Sequence, residues 1–259
     1  MNLGQRIRLL HRAWRYRLHA ERHEISLVNR VLQAGDVVLD VGAHKAAFTY
    51  WMAKRVGPQG RVIAFEPNPD LVQYLNQVAA GFNDQRVQVV AAALSCKAGN
   101  AWLHFPGQHL GSASLELTED ELKDPIQVDT IPLDSFLEEC PDMGPIAFVK
   151  CDVEYHELAV LRGACRMLVS HKPIMLIESG DFEQERFRLT PVLDYLNDLG
   201  FQGFFFRGSE LIPIEAYDPA IYPPVDDDHQ NYVFVHPNSK FVKRLSSHLS
   251  EPDRLASVA

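Results

Sequence analysis

From Asp36 onward the chain alternates short apolar runs with stretches of helical periodicity, and this alternation constrains the fold more than any other feature of the sequence. Apolar runs bounded by turn residues predict buried strands, whereas apolar residues spaced three and four apart predict amphipathic helices. The first half of the chain is ordered as strand, helix, strand, helix, strand. That order is typical of an α/β fold in which a doubly wound, mostly parallel sheet is covered by helices on both faces.

The same two patterns place the individual elements. Helices are predicted over residues 4–24, 25–32, 46–56, 71–80, 154–169 and 191–199. Strands are predicted over residues 37–41, 61–65, 87–94, 146–151, 173–178, 201–206 and 232–235. The last two strands are joined by a loop of about 25 residues without a helix, so we expect an antiparallel hairpin to end the sheet.

The chain is interpreted as one domain with appendages, because its 259 residues contain no internal repeat and no low-complexity linker. The domain is placed at residues 35–237. Within it, residues from about 100 to 132 hold short alternating pieces around a Gly/Ser-rich and acidic segment, which predict an inserted β-ribbon and loop. Residues 1–34 are assigned to a basic helical appendage and residues 238–259 to a C-terminal tail.

The formal net charge of −9 is divided unequally along the chain. Residues 1–23 carry +5, and the remainder therefore carries −14. An acidic body argues against a nucleic-acid-binding groove, because phosphate contacts require clustered Lys and Arg. The basic stretch is interpreted as an amphipathic helix packed across the domain with its arginines toward water, and docking on an anionic membrane surface is the alternative.

Targeting and redox signals favour the cytoplasm. Residues 1–23 lack the apolar region of a signal peptide, and no apolar run approaches the ~20 residues of a membrane span. The four cysteines form no C-x-x-C pair, which is typical of a reducing compartment rather than of a disulfide framework or a zinc cluster. The oligomeric state is left open because no heptad seam specifies it.

The candidate ligand site lies at the carboxyl ends of the predicted strands, where doubly wound sheets bind their ligands. The loop after the first strand has one glycine, Gly42, whereas dinucleotide and P-loop sites need several. This loop indicates a nucleoside-like ligand without a pyrophosphate and disfavours a nicotinamide-dependent dehydrogenase. Glu66 ends the second strand, 26 residues after Asp40. We expect Glu66 to bind ribose hydroxyls and Asp40 to bind an ammonium group, directly or through water.

Three longer segments and four shorter ones carry a resemblance to a known family. The longer segments are DVVLDVGAHK at 36–45, VIAFEPNP at 62–69 and FVKCDVEYHELAVLRGA at 148–164. The shorter ones are ALS at 93–95, GSASL at 111–115, IPLD at 131–134 and IMLIE at 174–178. In this order and spacing they resemble the FkbM family of S-adenosylmethionine-dependent methyltransferases, over about residues 24–235. The resemblance implies a Rossmann-like sheet of the class I methyltransferase type.

By this resemblance the chain is an S-adenosylmethionine-dependent methyltransferase whose acceptor is a hydroxyl on a sugar, a glycan or glycolipid, or a natural product. The loop after the first strand would hold the methionine part of the cofactor, the second strand end the ribose, and the third the adenine. The residues implied in cofactor binding are Asp40, Gly42, Ala43, His44, Glu66, Pro67 and Ala93. Asp152 and Glu154 would lie beside the transferred methyl group.

Methyl transfer to an alcohol also needs a base or a metal within hydrogen-bond reach of the hydroxyl. Asp152 and Glu154 follow the strand predicted at 146–151 and are the candidate acceptor-orienting bases, with His156 second. The alternative for both carboxylates is capping of the following helix. The alternative for His156 is a surface position one turn inside that helix.

A divalent metal is a less favoured cofactor. Asp226, Asp227, Asp228 and His229 offer oxygen ligands and an imidazole, which suit Mg²⁺ or Mn²⁺. A run of adjacent acids is more often a solvated loop. We therefore assign this segment to substrate contact and name no metal ligand.

Ala46 and Tyr155 depart from the family pattern, which usually has glycine at both positions. Ala46 adds a methyl group where a helix meets the cofactor loop. Tyr155 adds a large side chain beside the implied acceptor site. The identity of the acceptor is therefore less well predicted by the resemblance than the identity of the cofactor. These departures leave a second hypothesis open, a catalytically silent scaffold that keeps the fold and binds the cofactor.

Overall fold

The computed structural model describes residues 3–82, 84–105, 113–116, 125–180, 186–217, 221 and 229–245. Its strands are β1 (Val37–Val41), β2 (Arg61–Phe65), β3 (Val87–Val90), β4 (Ala93–Leu94), β5 (Gly99–Leu103), β6 (Ile126–Ile131), β7 (Ile146–Cys151), β8 (Ile174–Gly180), β9 (Gln202–Arg207), β10 (Glu210–Pro213) and β11 (His229–Val235). Its helices are α1 (Leu3–Arg15), α2 (Arg22–Val31), α3 (Ala47–Val56), α4 (Pro69–Ala80), α5 (Leu133–Glu138), α6 (Glu157–Arg162), α7 (Cys165–His171) and α8 (Arg186–Asp198). A π turn (Tyr16–Ala20) follows α1.

Eight of the described strands form the central sheet, in the order β10, β9, β11, β8, β7, β1, β2, β3. The five strands from β8 to β3 run parallel, whereas β11 is antiparallel to both β8 and β9. The predicted α/β fold, with a doubly wound, mostly parallel sheet and a terminal antiparallel pair, is confirmed. The pair differs from a simple hairpin, because β11 is inserted between β8 and β9 and β10 adds an edge strand from within the predicted loop.

A second sheet contains three described strands in the order β4, β6, β5. Strands β5 and β6 pair antiparallel, as expected for the inserted ribbon. The prediction of one strand over residues 87–94 was wrong. Strand β3 ends at Val90, and Ala93 and Leu94 pair instead with Thr130 and Ile131 of β6. An unbroken apolar run does not show where a chain passes from one sheet to another.

The helix predicted over residues 154–169 was too long. It begins only at Glu157, because Glu154 and Tyr155 have φ angles of 50° and 79°, which a right-handed helix excludes. It then divides at Gly163 into α6 and α7. Helix α5 lies in a stretch for which no helix was predicted.

The N-terminal helices pack on α3. The single helix predicted over residues 4–24 is α1 followed by the π turn. Ala13 of α1 and Ile25 of α2 are buried in the same apolar cluster as Trp51 of α3, and Trp51 Nε1 donates a 2.9 Å hydrogen bond to Ala13 O. None of the described helices is long and apolar enough to cross a membrane.

Two apolar layers, one on each face of the central sheet, form the core. Strand β1 shows the alternation, because Leu39 and Val41 belong to the layer under α5 to α8, whereas Val38 belongs to the layer under α2 and α3. Asp40 therefore points toward α3. Burial on both faces holds the carboxyl ends of β1, β2 and β7 together at one edge of the sheet.

Candidate active site

An open cleft lies where β1, β2 and β7 end. Of the ten residues predicted for the ligand site, eight line this cleft: Gly42, His44, Glu66, Pro67, Ala93, Asp152, Glu154 and His156. Further walls are apolar, among them Phe65, Leu71, Leu94 and Leu103. The parallel strands thus bring residues from separate parts of the chain to one place, as doubly wound sheets do.

Asp40 and Ala43 lie beside the cleft without lining it. The buried Asp40 carboxylate accepts a hydrogen bond from Thr49 Oγ1 of α3, and burial raises the pKa of Asp40 to about 6. The side chain of Ala43 is buried in an apolar cluster with Leu9 and Leu75. The binding of an ammonium group by Asp40, directly or through water, stays a prediction. Position 40 points under α3, because successive strand residues face opposite sides of the sheet.

The loop after β1 passes so close to the loop after β7 that only glycine fits at position 42. A Cβ atom on Gly42 would lie 1.8 Å from the carbonyl oxygen of Asp152, and the φ of Gly42 is 78°. The backbone N–H of Asp152 donates a 3.0 Å hydrogen bond to Val41 O. The close approach of two neighbouring strands therefore explains the single glycine of this loop.

Glu66 is a buried carboxylate whose two oxygens are oriented by backbone groups. Its Oε2 accepts a hydrogen bond from His44 N at 2.8 Å, and its Oε1 accepts one from Asn68 N at 2.9 Å. Burial raises the pKa of Glu66 to about 7, against the lowering effect of these two N–H donors. Each oxygen keeps a second lone pair, so the carboxylate can accept two further hydrogen bonds from a ligand in the cleft.

His44 contributes an unsatisfied polar atom to the same side of the cleft. Its Nε2 is buried and has no hydrogen-bond partner among the described residues. Burial, and then the charge of Lys45, lower the pKa of His44 to about 4, so the imidazole is neutral near pH 7. Because buried polar atoms are normally hydrogen-bonded, this nitrogen indicates a place where a ligand completes the site.

On the other side of the cleft, Asp152 belongs to a charge cluster around Lys150. Lys150 Nζ lies 3.4 Å from Asp152 Oδ2, 3.3 Å from Glu178 Oε2 and 3.4 Å from Asn231 Oδ1, and the lysine side chain is 1% exposed. Burial would lower the pKa of Lys150, but the carboxylates of Asp152, Glu178 and Glu21 raise it above its usual value. Burial, and then the charge of Asp152, raise the pKa of Glu178. The cluster therefore holds a charged lysine beside Asp152 and favours a proton on Glu178.

Glu154 and His156 contact a short described stretch in the middle of the insert, residues 113–116. Ser114 Oγ donates a hydrogen bond to the carbonyl oxygen of Glu154, and burial raises the pKa of the Glu154 side chain to about 7. His156 Nδ1 lies 2.5 Å from Glu116 Oε1, and its Nε2 lies 3.0 Å from Ser95 Oγ. His156 precedes α6 instead of lying one turn inside it. With both ring nitrogens engaged, it fastens the insert to the cleft.

Three ionisable groups near the cleft were missed by sequence reasoning: the buried Lys150 and Glu157, and the half-buried Glu21. Lys150 carried a signal, since a charged residue inside an apolar strand needs a partner. Glu157 Oε1 accepts a hydrogen bond from Tyr155 N at 3.0 Å, and burial raises the pKa of Glu157 to about 7. Glu21 follows the π turn, accepts a 3.2 Å hydrogen bond from Asn231 Nδ2, and has its pKa raised to about 7 by burial. No local pattern pointed to Glu21.

The acidic segment that was assigned to substrate contact lies outside the described residues. This applies to Asp226, Asp227 and Asp228, and to the side chain of His229. Within the described ranges, no group of three or more His, Cys, Asp or Glu residues is arranged to hold a metal ion.

Comparison with known proteins places the chain among methyltransferases. The model of the methyltransferase FkbM domain matches residues 40–202. "Methyltransferase 1" of Beauveria bassiana (strain ARSEF 2860) is 29% identical over 143 residues, which are 49% of this chain and 57% of that protein. The crystal structure of the methyltransferase FkbM from Methylobacillus flagellatus KT gives a TM-score of 0.51 at 17% identity, covering 91% of this chain and 56% of that one. The cofactor-bound Rv0187 from MTB gives a TM-score of 0.50 at 14% identity, with 92% of both chains covered.

The two solved structures bear on the fold alone, because their identities to this chain are low. They confirm a Rossmann-like sheet of the class I methyltransferase type. The chain spans little more than half the length of the Beauveria and Methylobacillus relatives. The family model covers well over half of the chain, including the strand ends at Gly42, Glu66 and Asp152. The chain therefore belongs to the FkbM methyltransferase family.

Proposed function

We propose that the protein transfers a methyl group from S-adenosylmethionine to a hydroxyl oxygen on a sugar, a glycan or glycolipid, or a natural product. When bound, S-adenosylmethionine supplies an electrophilic methyl group on a positively charged sulfur. The observation that carries the proposal is that Glu66 lines the same cleft as two other carboxylates, Asp152 and Glu154. The oriented carboxylate suits a ribose, and the other two suit a hydroxyl that must lose its proton.

The residues of the cofactor side fit this ligand. The free lone pairs of Glu66 accept hydrogen bonds from the two ribose hydroxyls, and the N–H donors of His44 and Asn68 keep both oxygens oriented. The unpartnered Nε2 of His44 binds a polar group of the methionine part. Ala93 and Leu94 offer an apolar wall for the adenine ring.

On the acceptor side, Glu154 is the proposed base. Burial raises its pKa to about 7, which matches a group that must take up a proton near neutral pH. Glu154 takes the proton that the acceptor hydroxyl loses as its oxygen gains the methyl group. Asp152, which lies beside the Lys150 ammonium, orients the acceptor by accepting a hydrogen bond from a neighbouring hydroxyl of the same molecule. His156 acts as a positioning residue that holds the insert over this side.

The two departures from the family pattern are compatible with this chemistry. Ala46 and Tyr155 have φ angles of 64° and 79°, in the left-handed region that glycine adopts most easily. Both loops therefore keep a glycine-like backbone although a side chain has been added, at a cost of about 1–2 kcal/mol each. The backbone at these two positions therefore gives no reason to prefer a catalytically silent scaffold.

Calorimetric titration with S-adenosylmethionine and with its demethylated product tests the cofactor side. We expect Glu66→Ala to weaken binding at least about tenfold, because two oriented acceptors are lost. Glu139→Ala, which removes an exposed carboxylate at the end of α5, serves as the matched control and should bind within about twofold of the unchanged chain. A folded sample that gives no heat with either ligand contradicts the proposal.

Transfer of a labelled methyl group to a panel of hydroxylated acceptors tests the acceptor side. The base must be deprotonated to act, so kcat/KM should rise with pH through about 7 and then level off. We expect Glu154→Gln to remove that rise and to lower kcat/KM about 100-fold while cofactor affinity is kept. Cofactor binding without transfer to any acceptor would favour the silent scaffold, and full activity in Glu154→Gln would reject Glu154 as the base.

A further inference from the structure

Helix α1 and the π turn after it present an apolar stripe to solvent. Leu3, Ile7, Trp14 and Leu18 are 76%, 58%, 46% and 56% exposed. Their spacings of four and seven residues place them on one side of the helix, within an arc of about 60°. Large side chains with such exposures are unusual when they share one face. Within the described part of the chain, this face is not covered.

The other side of the same helix is already occupied by the body of the protein. Leu9 is buried in the cluster under α4, and Ala13 is buried against α3. Arg12 NH1 donates hydrogen bonds to Lys45 O at 3.3 Å and to Tyr74 Oη at 3.4 Å. The helix is therefore anchored mainly through this face; of the stripe residues, Trp14 also packs edge-on against Trp51, with 5.4 Å between the ring centroids.

Exposed arginines border the stripe on both sides. Helical spacing puts Arg6 and Arg17 along one border and Arg8 and Arg15 along the other, and all four are exposed. Arg17 packs its guanidinium over the Trp14 ring, with 5.2 Å between guanidinium carbon and ring centroid. Neither Asp nor Glu occurs between residues 3 and 20.

We propose that this face docks on an anionic phospholipid surface, with the apolar stripe in the headgroup boundary and the arginines against lipid phosphates. An amphipathic helix with Leu, Ile and Trp on one face and arginines beside it is the arrangement that binds such surfaces. The long aliphatic stems of arginine let the charge reach phosphates while the stripe is buried. Docking is independent of the methyl-transfer proposal, because it uses none of the cleft residues.

Two other occupants fit this face less well. A second copy paired through the same stripe would bring arginine borders together without any acid to neutralise them. A nucleic acid would satisfy the arginines but would leave four large apolar side chains without an apolar partner. Only a surface that is anionic outside and apolar beneath satisfies both features of the helix.

Co-sedimentation of the full chain with vesicles tests the proposal. We expect binding to phosphatidylcholine vesicles that contain phosphatidylglycerol, weak binding to phosphatidylcholine alone, and loss of binding at high salt. Ile7→Glu/Leu18→Glu and Arg6→Glu/Arg8→Glu should each lower the partition coefficient at least about tenfold. Val169→Glu changes a residue that is 52% exposed on α7 and should bind within about twofold of the unchanged chain.

A fluorescence readout keeps the test independent of how the charge variants fold. Trp14 should shift to shorter wavelength on anionic vesicles, so Trp14→Phe should remove most of the shift while Trp102→Phe, at an exposed residue of β5, should keep it. Equal binding to neutral and anionic vesicles, or unchanged binding by the stripe variants, would overturn the proposal. So would a dimer in solution that Ile7→Glu/Leu18→Glu dissociates, because the face would then belong to a second copy.

Discussion

The two sides of the cleft are built in different ways. The side that we propose for the cofactor depends on backbone groups at the ends of two neighbouring strands, because the Glu66 oxygens are held by the N–H groups of His44, 22 residues away, and of Asn68. The acceptor side depends on side chains from distant segments, since Lys150 meets both Glu178 and Asn231. One side is held by backbone groups of neighbouring strand ends, and the other by side chains that include one from β11, 81 residues after Lys150.

The two sides should therefore respond differently to amino-acid substitutions. A motif held by backbone groups is sensitive to residues that alter the path of the backbone, such as Gly42. A cluster held by charged side chains is sensitive to the loss of its central member, because the surrounding carboxyl groups then lose the charge that compensates them. The four predictions below test this contrast.

The largest effect is expected from Lys150→Met on the acceptor side. Removing the ammonium leaves Asp152, Glu178 and Glu21 facing one another, so the free energy of unfolding should fall by about 4 kcal/mol in chemical denaturation. The loss should be smaller at pH 5 than at pH 8, because the carboxylates then take up protons. Lys54→Met, on the exposed face of α3, should change stability by less than about 0.5 kcal/mol.

Gly42→Ala should be the most damaging change on the cofactor side. The added Cβ would lie 1.8 Å from Asp152 O, so we expect a loss of about 3 kcal/mol in stability and of measurable cofactor binding. Gly208→Ala is the matched control, because Gly208 also has a positive φ, 61°, but nothing within 4 Å of its would-be Cβ. It should cost about 1 kcal/mol and leave cofactor binding intact. Equal losses in the two variants would contradict the close-approach argument.

His156→Phe should lower activity toward the acceptor without changing cofactor affinity. It breaks the contacts to Glu116 and Ser95 while keeping a ring of similar size. We expect kcat/KM for the acceptor to fall about tenfold, equivalent to about 1.4 kcal/mol, with the Kd of the demethylated cofactor unchanged. Glu116→Gln should produce part of the same effect, and little more should follow when both changes are combined. A parallel loss of cofactor affinity would show that His156 supports the whole cleft.

The smallest effect is expected from Ala46→Gly. Glycine adopts the left-handed backbone without strain, which should stabilise the fold by about 1–2 kcal/mol. The loss of a buried methyl group and the greater entropy of the unfolded chain should destabilise it by nearly the same amount. The net change in unfolding free energy should lie within about 0.5 kcal/mol. Ala47→Gly, one residue later in α3, has no such strain to relieve and should lose about 1.5 kcal/mol. Similar losses in both variants would mean that Ala46 is unstrained.

The sequence predicted the local structure around Gly42 and Glu66 better than the local structure around Glu154 and His156. Gly42 and Glu66 were placed correctly at strand ends, because an apolar run followed by glycine or proline is a signal that spans only a few residues. His156 was placed inside a helix, although the helix starts after it. The left-handed φ angles of Glu154 and Tyr155 are accompanied by hydrogen bonds from Ser114 and to Glu157, which helical periodicity cannot reveal.

The sequence by itself determined the parallel sheet, its terminal antiparallel pair and the strand ends that carry Gly42, Glu66 and Asp152, because hydrophobic periodicity and turn chemistry act locally. The tertiary structure decided that Asp40 lies under α3, and that Glu21 reaches the Lys150 cluster from the N-terminal segment. These arrangements depend on which faces pack together and on the compensation of buried charge. Both are properties of the assembled fold, and no local pattern in the sequence encodes them.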